Sequence, residues 1–225
     1  MSSSEKKTSP ESSIGSASNS SEGGLIEIRQ MELADVSAVV ELQSLAFPPP
    51  FDPELLWSAE HLALHLDLFS EAQWVAVSDG RLVGSCSNTH ISSEVWLNSK
   101  TWEETMGGPW LETFSADGTT LYGLDISVHP EFRRRGIGRK FYERRFQYGR
   151  DHGLERYGTG CRLPDFLASG LTNVYEYVAD VARGARQDRT LTPLLRYGLR
   201  IIMTKENYME DAESRNAAAI LEWNP

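Results

Sequence analysis

The stretch Leu121–His152, LYGLDISVHPEFRRRGIGRKFYERRFQYGRDH, constrains this chain more than any other. Apolar residues alternate through Val128, the period of a β-strand. His129-Pro130 ends the run, because proline has no N–H for a ladder. Arg133–Gly138 (RRRGIG) is a bend, and from Arg139 onward Phe141, Tyr142 and Phe146 fall near helical spacing. Strand, glycine-rich bend and helix in that order make an anion site. Glycine lets the backbone adopt positive φ and approach a ligand closely. The first N–H groups of the helix have no intrahelical partner and lie at the positive end of its dipole. Seven basic residues lie between Arg133 and Arg145, although the chain carries a net charge of −10. A ligand with clustered phosphates would account for both.

Two common phosphate motifs are absent. There is no G-x-x-x-x-G-K-[ST], and no G-x-G-x-x-G directly after the strand. What stands there is R-x-x-G-x-G, formed by Arg133, Gly136 and Gly138 behind V-H-P. This arrangement resembles the coenzyme A signature of the GNAT superfamily of N-acetyltransferases. The resemblance implies an α/β fold with a central mixed β-sheet flanked by helices, and acetyl-CoA as co-substrate without a metal. It implies that Arg133, Arg134, Arg135, Gly136, Ile137, Gly138 and Arg139 wrap the pyrophosphate. It also implies that Ile126, Ser127 and Val128 meet the pantetheine arm through their backbone. The competing reading of the same bend is a solvated, arginine-rich helix start.

At 225 residues the chain is one large domain or two small ones. Its two cysteines, Cys86 and Cys161, give neither a disulfide framework nor a metal spacing. With no apolar run near the ~20 residues of a membrane helix, a cytoplasmic setting is expected. The acidic balance argues against nucleic acid and suits a cationic partner such as an amine.

Residues 1–24 are serine-rich, without an aromatic residue, and read as a disordered tail. The domain is expected over 25–225. Leu25–Met31 reads as a strand and Glu32–Ala46 as a helix ended by Pro48-Pro49-Pro50. Asp52-Pro53 looks like the capped start of a second helix reaching about Phe69. Gln73–Ser78 and Arg81–Thr89 form a hairpin across Asp79-Gly80. Residues 91–120, with Trp96, Trp102, Trp110 and Phe114, read as a lid or a packed loop. Behind the central helix come a strand (Leu154–Cys161), a helix (Leu171–Ala185), a short helix (Thr190–Tyr197) and two strands (Leu199–Thr204, Ala217–Trp223). The last two are expected to pair antiparallel.

That order of elements is also similar to the GNAT order, so the resemblance extends over Ile26–Trp223. Thr120–Pro130 and the closing region from Tyr197 resemble the acetyltransferase domain fused in front of a carbon–nitrogen hydrolase in some bacteria. Pro225 falls where that hydrolase would begin. Cys161–Phe166 departs from the relative's pattern, which bears on the acceptor.

Acetyl transfer needs a neutral amine. At a lysine-like pKa of ~10.4, about one molecule in 2,500 is neutral at pH 7. The resemblance implies an oxyanion donor from the backbone N–H of Ile126 or Val128, and often a tyrosine acid. Strict alternation puts Tyr122, Leu124, Ile126 and Val128 on one face of the central strand, and Gly123, Asp125 and Ser127 on the other. A buried carboxylate there would gain basicity. Asp125 and Tyr122 are therefore the candidate catalytic residues, against the plainer readings of a loop-anchoring carboxylate and a core tyrosine. The expected activity is transfer of acetyl from acetyl-CoA to a small-molecule or peptide amine, with a homodimer left open. The alternative is a non-catalytic acyl-CoA-binding regulatory module.

Overall fold

The computed structural model describes Met1 and residues 25–225; apart from Met1, the tail read over residues 1–24 lies outside the described residues. One seven-stranded mixed sheet runs through the whole of this part, in the order β1-β2-β3-β4-β5-β7-β6. The strands are β1 Ile26–Gln30, β2 Trp74–Ser78, β3 Arg81–Ile91, β4 Thr120–Val128, β5 Arg156–Arg162, β6 Arg200–Lys205 and β7 Ala218–Trp223. β6 and β7 pair antiparallel, as expected. Among the described residues, the one parallel pair is β4 with β5.

Helices cover both faces. α5 (Ile137–Asp151), α6 (Val174–Ala182) and α7 (Leu191–Arg196) pack on one side, around Phe141, Tyr157, Tyr177 and Leu191. α1 (Val36–Ala46), α2 (Ala59–Phe69), α3 (Ser93–Asn98) and α4 (Trp102–Met106) build the core on the other, around Val39, Leu62, Trp96 and Tyr122. The tryptophan-rich segment is thus packed, but as two short helices instead of a loop. Ser92 and Thr101 cap two short helices through their hydroxyls, and these carry Trp96 and Trp102 into the core.

The second helix also differs from expectation. Asp52 and Pro53 do start a helical turn, but it is a short 3-10 turn ending at Leu55. Leu56 is extended, and Ser58 caps a new helix by accepting from the His61 N–H. The break exists because the chain has two successive cap residues. It frees Trp57 from both helices and drops its indole toward the sheet.

β4 carries a bulge. Asp125 lies opposite Ser87 and Gly123 opposite Asn88, so Leu124 is an extra residue. The strict alternation assumed from sequence fails at this point. Tyr122 and Leu124 belong to the core on the α1 side, and Asp125 bonds Trp57 of that same core. Ile126 and Val128 pack on the α5 side instead.

Candidate active site

The sheet is split at its centre. β4 and β5 pair only through Thr120–Gly123 against Arg156–Thr159. Beyond that point the two strands diverge and enclose a cavity of about 200 Å³. Leu124, Asp125 and Ile126 line one side, and Gly160, Cys161 and Arg162 the other. The N–H of His129 donates to Val83 O at 2.9 Å. Alternation along an antiparallel ladder then turns the N–H groups of Ile126 and Val128 away from β3, toward the gap. These are the two backbone donors singled out from sequence.

The bend lies just past the end of β4. Gly136, at φ 82°, is the N-cap of α5. A Cβ placed on Gly136 or Gly138 would meet nothing within 4 Å. The two glycines thus border open space, where an anion could reach the first N–H groups of the helix. That fits a pyrophosphate. Ile137 between them is buried and packs on Gly84, so its backbone alone can face a ligand.

The basic run is less free than its sequence suggests. Arg133 donates to Ala46 O at 2.7 Å and so caps the end of α1. Arg139 pairs with Glu143 at 2.8 Å, and Lys140 reaches Ile26 O at 3.3 Å. Arg135 sits over the Phe132 ring and Arg144 over Trp74. Arg134, at φ 62°, has no side-chain partner among the described residues. Arg145 turns inward altogether.

Arg145 is 1 % exposed and lines the gap. Its Nε donates to Asn88 Oδ1 at 2.7 Å and its Nη1 to the Tyr157 hydroxyl at 2.8 Å. Nη2 donates to two carbonyls at the bulge, Ser87 O at 3.1 Å and Asp125 O at 3.0 Å. A helix residue thus ties β3, β4 and β5 together where the sheet begins to part. Gly123 makes room for it, since a Cβ there would lie 2.2 Å from the Tyr157 hydroxyl and 3.0 Å from the guanidinium carbon. Sequence reasoning counted Arg145 as phosphate-directed charge. The apolar neighbours Phe141 and Phe146 on the same helix face were the signal that it points into the core.

Asp125 stands at the wall of the gap, partly exposed. Its Oδ1 accepts from Trp57 Nε1 at 2.9 Å and its Oδ2 from Ser127 Oγ at 3.3 Å. Burial pushes its pKa above the usual carboxylate range, against the Trp57 N–H and the Arg145 charge. Tyr122 requires a correction. It is fully buried and its hydroxyl bonds Tyr208 at 2.8 Å, not the gap. The bulge sends it to the far core, and burial holds its hydroxyl well above the ordinary phenol value. Cys161 does reach the gap, but burial raises its thiol so that it stays protonated. Trp57 was missed from sequence. Its only signal was its place just before the Ser58 cap.

Among the described residues, no group of three His, Cys, Asp or Glu side chains could hold a metal. No helix among them is long and apolar enough to cross a membrane.

Residues 36–171 match the acetyltransferase (GNAT) family. The chain is 35% identical over 199 residues to an uncharacterized N-acetyltransferase of Bacillus subtilis, YkwB, covering 88% of each. It is 32% identical over 200 residues to YhcX of the same organism, a probable hydrolase, of which it spans 38%. Among solved structures, a GNAT-like decarboxylase in complex with isobutyryl-CoA, GphF, has the same fold, with a TM-score of 0.72. That match has 23% identity and covers 88% of this chain and 98% of the other.

Proposed function

The chain belongs to the acetyltransferase (GNAT) family, and from that premise we propose that it transfers an acetyl group from acetyl-CoA to a primary amine. One observation carries the proposal. The gap between β4 and β5 opens beside a bend whose two glycines border empty space at a helix start. An elongated thioester with a diphosphate near its middle fits such a path. The bend and the first N–H groups of α5 hold the phosphates, with Arg134 as the free cation nearest by sequence. The diverging edges of β4 and β5 hold the pantetheine arm.

In the reaction, the neutral amine attacks the thioester carbon. Asp125, made more basic by burial, takes the amine proton directly or through a water. The N–H groups of Ile126 and Val128 face the gap and can stabilise the oxyanion. Tyr122 is not part of this scheme, because its hydroxyl does not reach the gap. We place the protein in a reducing compartment such as the cytoplasm, a setting supported by the free, buried thiols of Cys86 and Cys161.

The test is release of CoA thiol over a panel of amines, with acetyl-CoA and isobutyryl-CoA as donors. Amine-dependent release from acetyl-CoA is expected. Tight binding of both thioesters, with release that no amine accelerates, would replace this reading with that of an acyl-CoA-binding module.

A further inference from the structure

A second cavity, of about 530 Å³, lies next to the reaction gap and shares Leu55, Leu56, Trp57, Trp102 and Met209 with it. Trp57 links the two. Its Nε1 bonds Asp125 in the gap, while its ring lies 5.6 Å from Trp102 and edge-on to His61. Tyr208 adds a further ring to the wall. Aromatic rings of this kind attract an ammonium group through their quadrupoles.

Among the lysine, arginine, aspartate and glutamate residues, those lining the cavity have one sign. Glu54, Glu103 and Glu210 line the cavity, and no lysine or arginine does. Some glutamates elsewhere pair, as Glu155 does with Arg156 and Glu222 with Arg200. These three have no such partner among the described residues. Lys205 lies over the Tyr208 ring, but its ammonium is held by Ser99 O. Behind Trp57, at 5.1 Å, sits His65, wholly buried and with its Nδ1 unpartnered among the described residues. Burial pushes His65 down to about 4, so it is neutral at pH 7 and adds no opposing charge.

We propose that the acceptor is a primary amine with a second cationic group a few carbons away. The aromatic cavity holds the second cation while the first nitrogen reaches Asp125. The inference rests on the acetyl-transfer reading and adds the class of acceptor. A C–N bond forms as the C–S bond breaks. The nitrogen loses one proton to the base, the electron pair leaves with sulfur, that thiolate takes up the proton, and the products are the mono-acetylated amine and CoA thiol. The second cation is unchanged.

The chemistry is shared by small diamines and by peptides that begin with lysine, whose α- and ε-amines are both cationic, so both enter the test. Thiol release from acetyl-CoA is measured on the full chain with 1,5-diaminopentane, n-pentylamine, 5-aminopentanoate and a short peptide with a free N-terminal lysine. The diamine or the peptide should show a KM on the order of tenfold below that of n-pentylamine, with 5-aminopentanoate poorest. Which of the two is used assigns the source. The double variant Glu103→Gln, Glu210→Gln should shrink the ratio of KM values between diamine and monoamine, more clearly at low salt. A thermal melt reports whether that variant is folded. Equal KM values for n-pentylamine and the dications, or a ratio untouched in a folded double variant, would overturn the inference and leave acetyl transfer standing. If no amine accelerates release, the underlying reading falls first.

Discussion

Asp125 is held between opposing influences. Burial favours its neutral form, while the Trp57 N–H, the charge of Arg145 and the hydroxyls of Ser87 and Ser127 favour the carboxylate. A base in this position should matter to turnover and little to thioester binding. Asp125→Asn is expected to lower kcat by about 10²–10³, with acetyl-CoA affinity by calorimetry nearly constant. Equal turnover would remove Asp125 from the mechanism. Trp57→Phe tests the tuning. The indole N–H lowers the Asp125 pKa, so losing it raises that pKa and leaves less carboxylate at a given pH. The acid limb of the kcat/KM profile should therefore move to higher pH, with activity falling more at pH 6 than at pH 8. An unmoved limb would mean that Trp57 acts through packing alone. Arg145→Met strips four acceptors of their donor and should cost about 3–5 kcal/mol of stability in urea unfolding. Arg145→Lys should recover only part of this, because three donors on a point charge cannot span the four acceptors. Asp125 could be found from sequence because a carboxylate in an otherwise apolar strand stands out. Arg145 was harder to find, because in a run of arginines helical phase alone distinguishes the one that turns inward.

At the scale of elements, the strand–bend–helix was legible because glycine, proline and a change of hydrophobic period mark its joints. The bulge in β4 was not. A period of two assumes a regular ladder, and Leu124 looks like any other strand residue until its partners on β3 are known. The interruption before α2 was hidden for a related reason: Asp52-Pro53 and Ser58 are both valid caps, and sequence alone does not rank them. The bend itself offers a paired test. Gly136 sits at positive φ, so Gly136→Val should cost about 1–3 kcal/mol in strain as well as block the ligand. Gly138 is not among the glycines at positive φ and borders open space. Gly138→Leu should therefore leave the melting temperature nearly unchanged while acetyl-CoA affinity falls more than about tenfold. Calorimetry showing full affinity in a folded Gly138→Leu protein would mean that the diphosphate does not pass the bend.

For the whole molecule, the order of the strands and main helices was readable from sequence, α3 and α4 excepted, and with the family resemblance it gave the sheet. The gap was not, because it is a failure of pairing between segments more than thirty residues apart, each an ordinary strand by itself. That gap has a mechanical consequence. β1 to β4 form one half of the sheet and β5 to β7 the other, joined by the short stretch of Thr120–Gly123 against Arg156–Thr159 and by the Arg145 clamp. A thioester lying in the gap would replace the missing ladder between the halves. Binding to the folded state alone adds about 2.7 kcal/mol at a ligand concentration of 100 times Kd, and so raises the melting temperature by roughly 5–10 °C for a domain of this size. The local signature is sharper than the global one. The amides of Ile126 and Val128, turned toward the gap, should exchange with solvent markedly more slowly when acetyl-CoA is present, as should those of Gly160–Arg162. Amides of the β1–β2 edge of the sheet, remote from the gap, should slow only to the extent that the whole fold is stabilised. Uniform slowing across the sheet, with no excess at the gap, would place the thioester somewhere other than between β4 and β5.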